Sequence, residues 1–292
     1  MKDKNFQTSD GVTLHYTDRG TGEPCIFLHG IFQQRYQLSA LADRVAKKSF
    51  SRCITIDLRG HGLSRTTSVC TSKRYAEDLN ELLNHIGASR AAVVGNSFGG
   101  YILLDYIRQY GQERLSALGL FDITPKMLSD SDWSLGFLRG KYRREQWQRD
   151  LRRIDNKYGD FIAYFIYRSI TVPPKGGYRE RAPAWAYTAR PLIAHDSEID
   201  KGNLKALWKE FEHADFRDLL PQLEMPTLIV GAVPGSFFLP EASAEMARMI
   251  GANARYIRIG GAGREAVSHH ALPSHRRELA DEIVRLLGEA RQ

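Results

Sequence analysis

Cysteine is scarce in this chain. Cys25, Cys53 and Cys70 are the three present among 292 residues, an odd number without metal-type spacing. That argues against a disulfide framework and a cysteine-ligated zinc site. Cys25 and Cys53 fall in apolar, strand-like runs, so free thiols in a reducing cytosol are expected. Long hydrophobic runs are lacking as well; no uncharged apolar stretch approaches membrane-spanning length, so no membrane span is expected. The opening Met1-Lys2-Asp3-Lys4-Asn5-Phe6 has no apolar h-region, which points to a cytoplasmic protein without a secretory signal. Internal repeats and low-complexity tracts are also missing, which excludes solenoid and linker-rich architectures. What remains, 42% hydrophobic and 26% charged, suits a soluble globular chain long enough for one large α/β domain or a core domain with an inserted lid.

Positive charge is in excess, and it is localised. Residues 126–190 hold 14 Lys/Arg and 7 Asp/Glu, which accounts for the whole net charge of +7. It is densest from Arg139 to Lys157. Arg143, Arg144, Arg149, Arg152 and Arg153 recur at steps that include three and four residues, so they are expected to cluster on the outer face of a helix. Such a face is either simply solvated or a docking surface for an acidic carrier protein or a phosphate-bearing carrier of substrate.

Hydrophobic periodicity gives the organisation. Val12–Tyr16 alternates like a strand. Pro24–Leu28 is a buried strand running into His29-Gly30, and Cys53–Asp57 is another. Residues 37–47 and 74–86 repeat apolar positions at helical spacing. Ala117–Phe121, Pro226–Val230 and Tyr256–Ile259 read as further strands, with helices at about 240–250 and 274–288. Strands alternating with helices predict a mostly parallel, doubly wound α/β sheet with helices on both faces. Residues 124–215 break this rhythm. They are aromatic and basic, contain Trp133, Trp147, Trp185 and Trp208, and are divided by Pro173-Pro174-Lys175-Gly176-Gly177. They are expected to form an inserted helical cap over the C-terminal edge of a core made by residues 1–123 and 216–292. Aromatic residues at helical spacing there serve first as the cap's own core.

The most informative stretch is Ala91-Ala92-Val93-Val94-Gly95-Asn96-Ser97-Phe98-Gly99-Gly100. A strand-like run meets Gly-x-Ser-x-Gly and passes directly into a helix-like segment. In so sharp a turn the serine hydroxyl projects from the top of a sheet, with a helix N-terminus behind it. A helix end favours negative charge developing nearby, so the setting suits a nucleophile. The competing reading is a glycine-rich turn whose serine only caps the helix.

Three motifs together resemble the α/β-hydrolase fold over nearly the whole length: His29-Gly30 at a strand end, Asp57-Leu58-Arg59-Gly60-His61-Gly62-Leu63-Ser64 after the next strand, and the Gly95–Gly100 elbow. The resemblance implies an oxyanion hole formed by the backbone N–H groups of Ile31 and Phe98, and structural roles for His29 and His61. A serine needs a base, and the base needs a carboxylate to hold its tautomer. In this family the acid usually follows the strand that here reads Thr227-Leu228-Ile229-Val230, yet no carboxylate occurs before Glu241. Some members, including haloalkane dehalogenases, carry an acid at the end of the strand after the nucleophile helix. Asp122 stands there, although an Asp before Thr-Pro also makes a turn or cap. The usual Gly-His after the last strand is missing too. Counting back from the last helix favours His269 as the base, with His270 as the alternative; His275 reads as a surface residue. No Cys or carboxylate pattern accompanies these histidines, so no metal is expected, and no cofactor.

The resemblance thus implies a serine hydrolase or acyltransferase that works through an acyl-enzyme on an ester, lactone or thioester, its small acyl substrate free or carried on an acidic or phosphate-bearing carrier. With such a core, nucleic acid is not an expected partner. Two alternatives stand. The Gly-Asn-Ser-Phe-Gly-Gly elbow is similar to that of meta-cleavage-product hydrolases, which cut carbon–carbon bonds. The displaced acid and base are also compatible with a non-catalytic ligand-binding protein on a degenerate hydrolase scaffold.

Overall fold

The computed structural model of the chain describes residues 2–68, 70–170, 199–233, 237–260, 269 and 275–291. Among them the strands are β1 Lys2–Gln7, β2 Thr13–Arg19, β3 Pro24–Leu28, β4 Arg52–Ile56, β5 Ala91–Asn96, β6 Leu115–Phe121, β7 Thr227–Val233 and β8 Ala254–Gly260. They form an eight-stranded sheet in the order β1-β2-β4-β3-β5-β6-β7-β8. Only the β1–β2 and β2–β4 pairs are antiparallel; β3 to β8 are parallel. The predicted α/β class and mostly parallel sheet are what the chain forms. β1 had no sequence signal, because Lys2-Asp3-Lys4-Asn5-Phe6-Gln7 buries only Phe6 among its apolar side chains. It is a charged edge strand, a form that discourages pairing with other chains.

Successive side chains of a strand point to opposite faces, so each parallel strand feeds two cores. Cys25 and Phe27, Ala92 and Val94, and Leu228 and Val230 pack with helices α1 (Tyr36–Ser49) and α8 (Arg276–Glu289). Ile26 and Leu28, Ala91 and Val93, and Ile229 pack on the other face. There they meet α2 (Ser72–His85), α3 (Phe98–Tyr110) and α7 (Pro240–Ile250). The chain runs from β3 to β4 on one side, then returns to β5 on the other. Winding therefore reverses at β3, and a crevice opens at the C-terminal ends of β3 and β5.

The segment between β6 and β7 contains α4 (Arg144–Asn156), α5 (Tyr158–Ile170) and α6 (Lys201–Glu210). It leaves and re-enters the sheet side by side. The Phe216 amide donates to the Pro125 carbonyl at 2.8 Å, and Lys126 and Asp215 form a backbone bridge. Trp147 and Trp208 pack inside this segment, their indoles donating to the Trp208 carbonyl (2.6 Å) and to the Tyr142 hydroxyl (2.7 Å). Trp185 lies outside the described residues. α6 is tied to the core at two points. Asn203 accepts from the Cys70 amide at 2.9 Å, and Glu210 accepts from the Ser72 amide at 2.8 Å, at the start of α2. Of the five arginines expected on one outer face, Arg143, Arg144, Arg149 and Arg152 are exposed. Arg153 turns inward to Asp150 (3.5 Å) and over the Tyr164 ring, and Arg144 pairs with Glu212. No helix among the described residues is long and apolar enough to cross a membrane.

Candidate active site

Ser97 occupies the turn between β5 and α3 with φ 52° and ψ −118°, a conformation that side-chain-bearing residues rarely adopt. Neighbouring glycines make that turn feasible. A Cβ on Gly95 would lie 2.5 Å from the Cα of Gly100, and one on Gly99 would lie 2.6 Å from the carbonyl carbon of Leu28. Strand, helix and β3 thus approach at distances that no side chain tolerates. The Ser97 amide donates to the Phe121 carbonyl at 2.8 Å, and the Ser97 carbonyl accepts from Gly100 (2.9 Å) and Tyr101 (3.2 Å). Its hydroxyl makes no capping bond to the helix, which removes the reading of Ser97 as a mere helix cap. Phe98, the first residue of α3, has an amide with no intrahelical acceptor. The Ile31 amide, across the crevice after β3, has no acceptor among the described residues.

Asp122 follows β6 directly and is also left-handed, at φ 49°; its amide donates to the Val230 carbonyl at 2.8 Å. Aspartate tolerates this region better than most residues. Its carboxylate is buried, and Oδ2 lies 2.6 Å from Nδ1 of His269. A carboxylate can only accept, so Nδ1 carries the proton, and the neutral ring keeps its basic lone pair on Nε2. The buried His269 ring rests against Phe237 and Phe238, with centroids 4.9 and 5.7 Å away. These two phenylalanines follow β7, the stretch where the sequence lacks a carboxylate. His270 lies outside the described residues, His275 is the residue just before α8, and Glu241 is exposed in the first turn of α7. Among the described residues, no group of three or more His, Cys, Asp or Glu side chains is placed to hold a metal ion.

Ser97 lines a narrow apolar cavity. The core contributes Ile31, Phe98, Tyr101 and Ile123. Phe137, Phe165, Trp208 and Phe211 come from between β6 and β7, and Phe237 and Phe238 complete the wall that also supports His269. Trp208 and Phe165 therefore serve both as packing within the inserted segment and as cavity wall, a dual role that helical spacing could not reveal.

His29 and His61 are fully buried beneath this crevice, 5.2 Å apart edge to face. The Leu58 amide donates to Nε2 of His29 at 3.0 Å, so Nδ1–H donates to the Gly30 carbonyl at 2.8 Å and the ring is neutral. Burial pushes the His29 pKa down to about 4. Burial, and secondarily the neighbouring His29, push that of His61 down to about 3. In the unfolded chain each histidine titrates near 6.5. Between those values the unfolded state binds protons that the folded state refuses, so stability is full above pH 6.5 and falls as pH drops through this window. The slope reaches about 1.4 kcal/mol per pH unit for each ring. The urea midpoint should fall from pH 7 to pH 5, above the range where the depressed carboxyls of Asp10 and Asp18 titrate. A flat midpoint across that range would contradict the neutral assignment.

Residues 23–271 match the family described as alpha/beta hydrolase fold. Non-heme chloroperoxidase CPO-A1 of Kitasatospora aureofaciens is 26% identical over 250 residues, 76% of this chain and 78% of that protein. The sn-1-specific diacylglycerol lipase ABHD11 of Danio rerio is 28% identical over 129 residues, 43% of this chain and 40% of that protein. Among solved structures, an esterase from Exiguobacterium antarcticum superposes with a TM-score of 0.79 at 19% identity, over 98% of this chain and all of that one.

Proposed function

Because this chain belongs to the alpha/beta hydrolase fold family, we propose that it is a serine hydrolase or acyltransferase acting through an acyl-enzyme on an ester, lactone or thioester. A hydrolytic role is supported by the family; the particular chemistry rests on the site. The observation that carries it is the 2.6 Å contact of Asp122 with His269; Phe121, the residue before Asp122, accepts from the amide of Ser97, which is strained and lines an apolar cavity. In this reading Ser97 Oγ attacks the carbonyl carbon while His269 Nε2 takes its proton. Asp122 stabilises the imidazolium, and the Ile31 and Phe98 amides hold the oxyanion. Collapse expels the alkoxide or thiolate, which receives the proton from His269. Water or another acceptor, activated by the same nitrogen, then releases the acyl group.

The cavity supports an apolar acyl group. Among the described residues its lining is apolar and includes no Lys or Arg, whereas the carboxylate of a meta-cleavage dienoate needs a charged or hydrogen-bonding partner when buried. The deciding experiment is intact mass after incubation with esters and thioesters of graded acyl length. The expected result is one acyl adduct on Ser97. Loss of a yellow dienoate without an ester-derived adduct would favour carbon–carbon hydrolysis. Failure of every ester and of a fluorophosphonate to label Ser97 would favour the non-catalytic scaffold.

The exposed Arg143, Arg149 and Arg152 support a carrier-borne acyl group as substrate. Replacing all three by Gln should raise KM about tenfold for an acyl group on an acidic carrier protein, and less than twofold for a small free ester. The wild-type preference for the carrier should fade as salt rises, since exposed charges are screened over about 10 Å at 0.1 M. Equal effects on both substrates would leave these arginines as a solubilising face.

A further inference from the structure

The Ile31 and Phe98 amides can share one oxyanion only if they are held in register. They sit on different strands' ends, and only their relative placement makes a pocket for one oxygen. The buried side chain of Gln33 joins the two loops. Gln33 Oε1 accepts from the Gly30 amide at 2.8 Å and from Asn96 Nδ2 at 3.1 Å. Gly30 immediately precedes Ile31, and Asn96 immediately precedes Ser97-Phe98. Gln33 is 2% exposed, and its own amide donates to the Gly30 carbonyl at 3.1 Å, closing the loop on itself. The Asn96 orientation follows from this, because an oxygen already accepting from Gly30 can meet only the amino side of the Asn96 carboxamide. Gly30 is matched to the bridge: a Cβ there would lie 3.0 Å from Gln33 Oε1 and 3.2 Å from the Ser97 Cβ.

The loop that Gln33 restrains is under tension. Phe32 sits at φ 59°, where a bulky side chain is rare, and its buried ring meets Phe165 of α5 edge to face at 5.1 Å. Ile31 is thus flanked by a residue held by Gln33 and a residue held by the inserted helices. We propose that Gln33 is a positioning residue of the oxyanion hole, which fixes the Ile31 amide relative to the Phe98 amide by bridging Gly30 and Asn96. The inference rests on the serine-hydrolase reading. It goes beyond that reading in making transition-state stabilisation depend on a side chain that touches neither substrate nor the reacting atoms.

Oxyanion donors act at about 2.7–3.1 Å from the developing charge, and a displacement of about 1 Å can cost 10²-fold in rate. Without Oε1, the Gly30 amide and Asn96 lose their acceptor in a buried place, and the loop is released to relax at Phe32. The test is steady-state hydrolysis of p-nitrophenyl butyrate by wild type, Gln33→Leu and Gln33→Glu, with inhibition by butylboronic acid, whose tetrahedral serine adduct places an oxygen in the hole. Gln33→Leu is expected to lose about 10- to 100-fold in kcat. Its KM should stay within about threefold, boronate affinity should fall in step with kcat, and the pH midpoint of kcat should stay in place. Gln33→Glu keeps an acceptor oxygen at that position and should recover most of the loss; it carries the test should the leucine variant fail to fold. Three results would overturn the proposal: a Gln33→Leu kcat above half of wild type, a loss carried by KM, or boronate affinity indifferent to Gln33 in a wild-type background that labels Ser97. A wild-type protein that forms no Ser97 adduct overturns both this inference and the reading beneath it.

Discussion

Ser97→Ala should remove turnover of an activated ester by about six orders of magnitude, the scale on which loss of a triad nucleophile is felt, and covalent labelling by a fluorophosphonate with it. The fold should survive. The Ser97 hydroxyl caps nothing, and alanine presents the same Cβ to the same turn. The unfolding free energy is expected to change by less than about 1 kcal/mol, because the strained backbone and the Cβ packing are the same in both side chains. That pairing of effects separates a nucleophile from a structural serine, whose loss would lower stability and activity together. A variant keeping more than about a tenth of wild-type turnover would sink the assignment, because binding and the oxyanion amides alone supply only about 10³–10⁴ over water.

Much of this was legible in the residues, and for identifiable reasons. The parallel strands of the interior read correctly because both their faces are buried, leaving apolar runs such as Cys25–Leu28 and Ala91–Val94 that have few alternatives. The elbow read correctly because Gly95 and Gly99 are required by backbone contact. The edge strand β1 was invisible because a charged edge has no apolar alternation to betray it.

The features around the candidate site that escaped are those set by distance across the chain. Phe237 and Phe238 look like an ordinary apolar pair after β7; their place against His269 depends on a residue more than thirty positions later. Gln33 carries no motif, and only the meeting of two strand ends shows what its oxygen joins. Arg153 matched its neighbours in helical spacing, yet Tyr164 and Asp150 draw it inward, a competition that periodicity does not contain.

Asp122→Asn should lower kcat by about 10⁴ with little change in KM, the loss seen when a serine-protease triad acid becomes an amide. The substitution is clean in the backbone, because asparagine tolerates the left-handed φ of 49° as readily as aspartate does. Its effect is on the proton. With a carboxylate at 2.6 Å, Nδ1 must be the protonated nitrogen. A carboxamide can instead turn its amino group toward Nδ1, which moves the ring proton to Nε2 and leaves no lone pair for the serine hydroxyl. Substrate affinity should be spared, since Asp122 does not line the cavity. The discriminating control is Glu241→Gln at the first turn of α7, where the carboxylate is exposed and expected to contribute nothing. If Asp122→Asn kept more than a tenth of kcat while Glu241→Gln lost it, the acid would lie after β7 and its assignment to the end of β6 would be wrong. If neither variant lost activity, His269 would be working without a carboxylate, and the 2.6 Å contact would be structural.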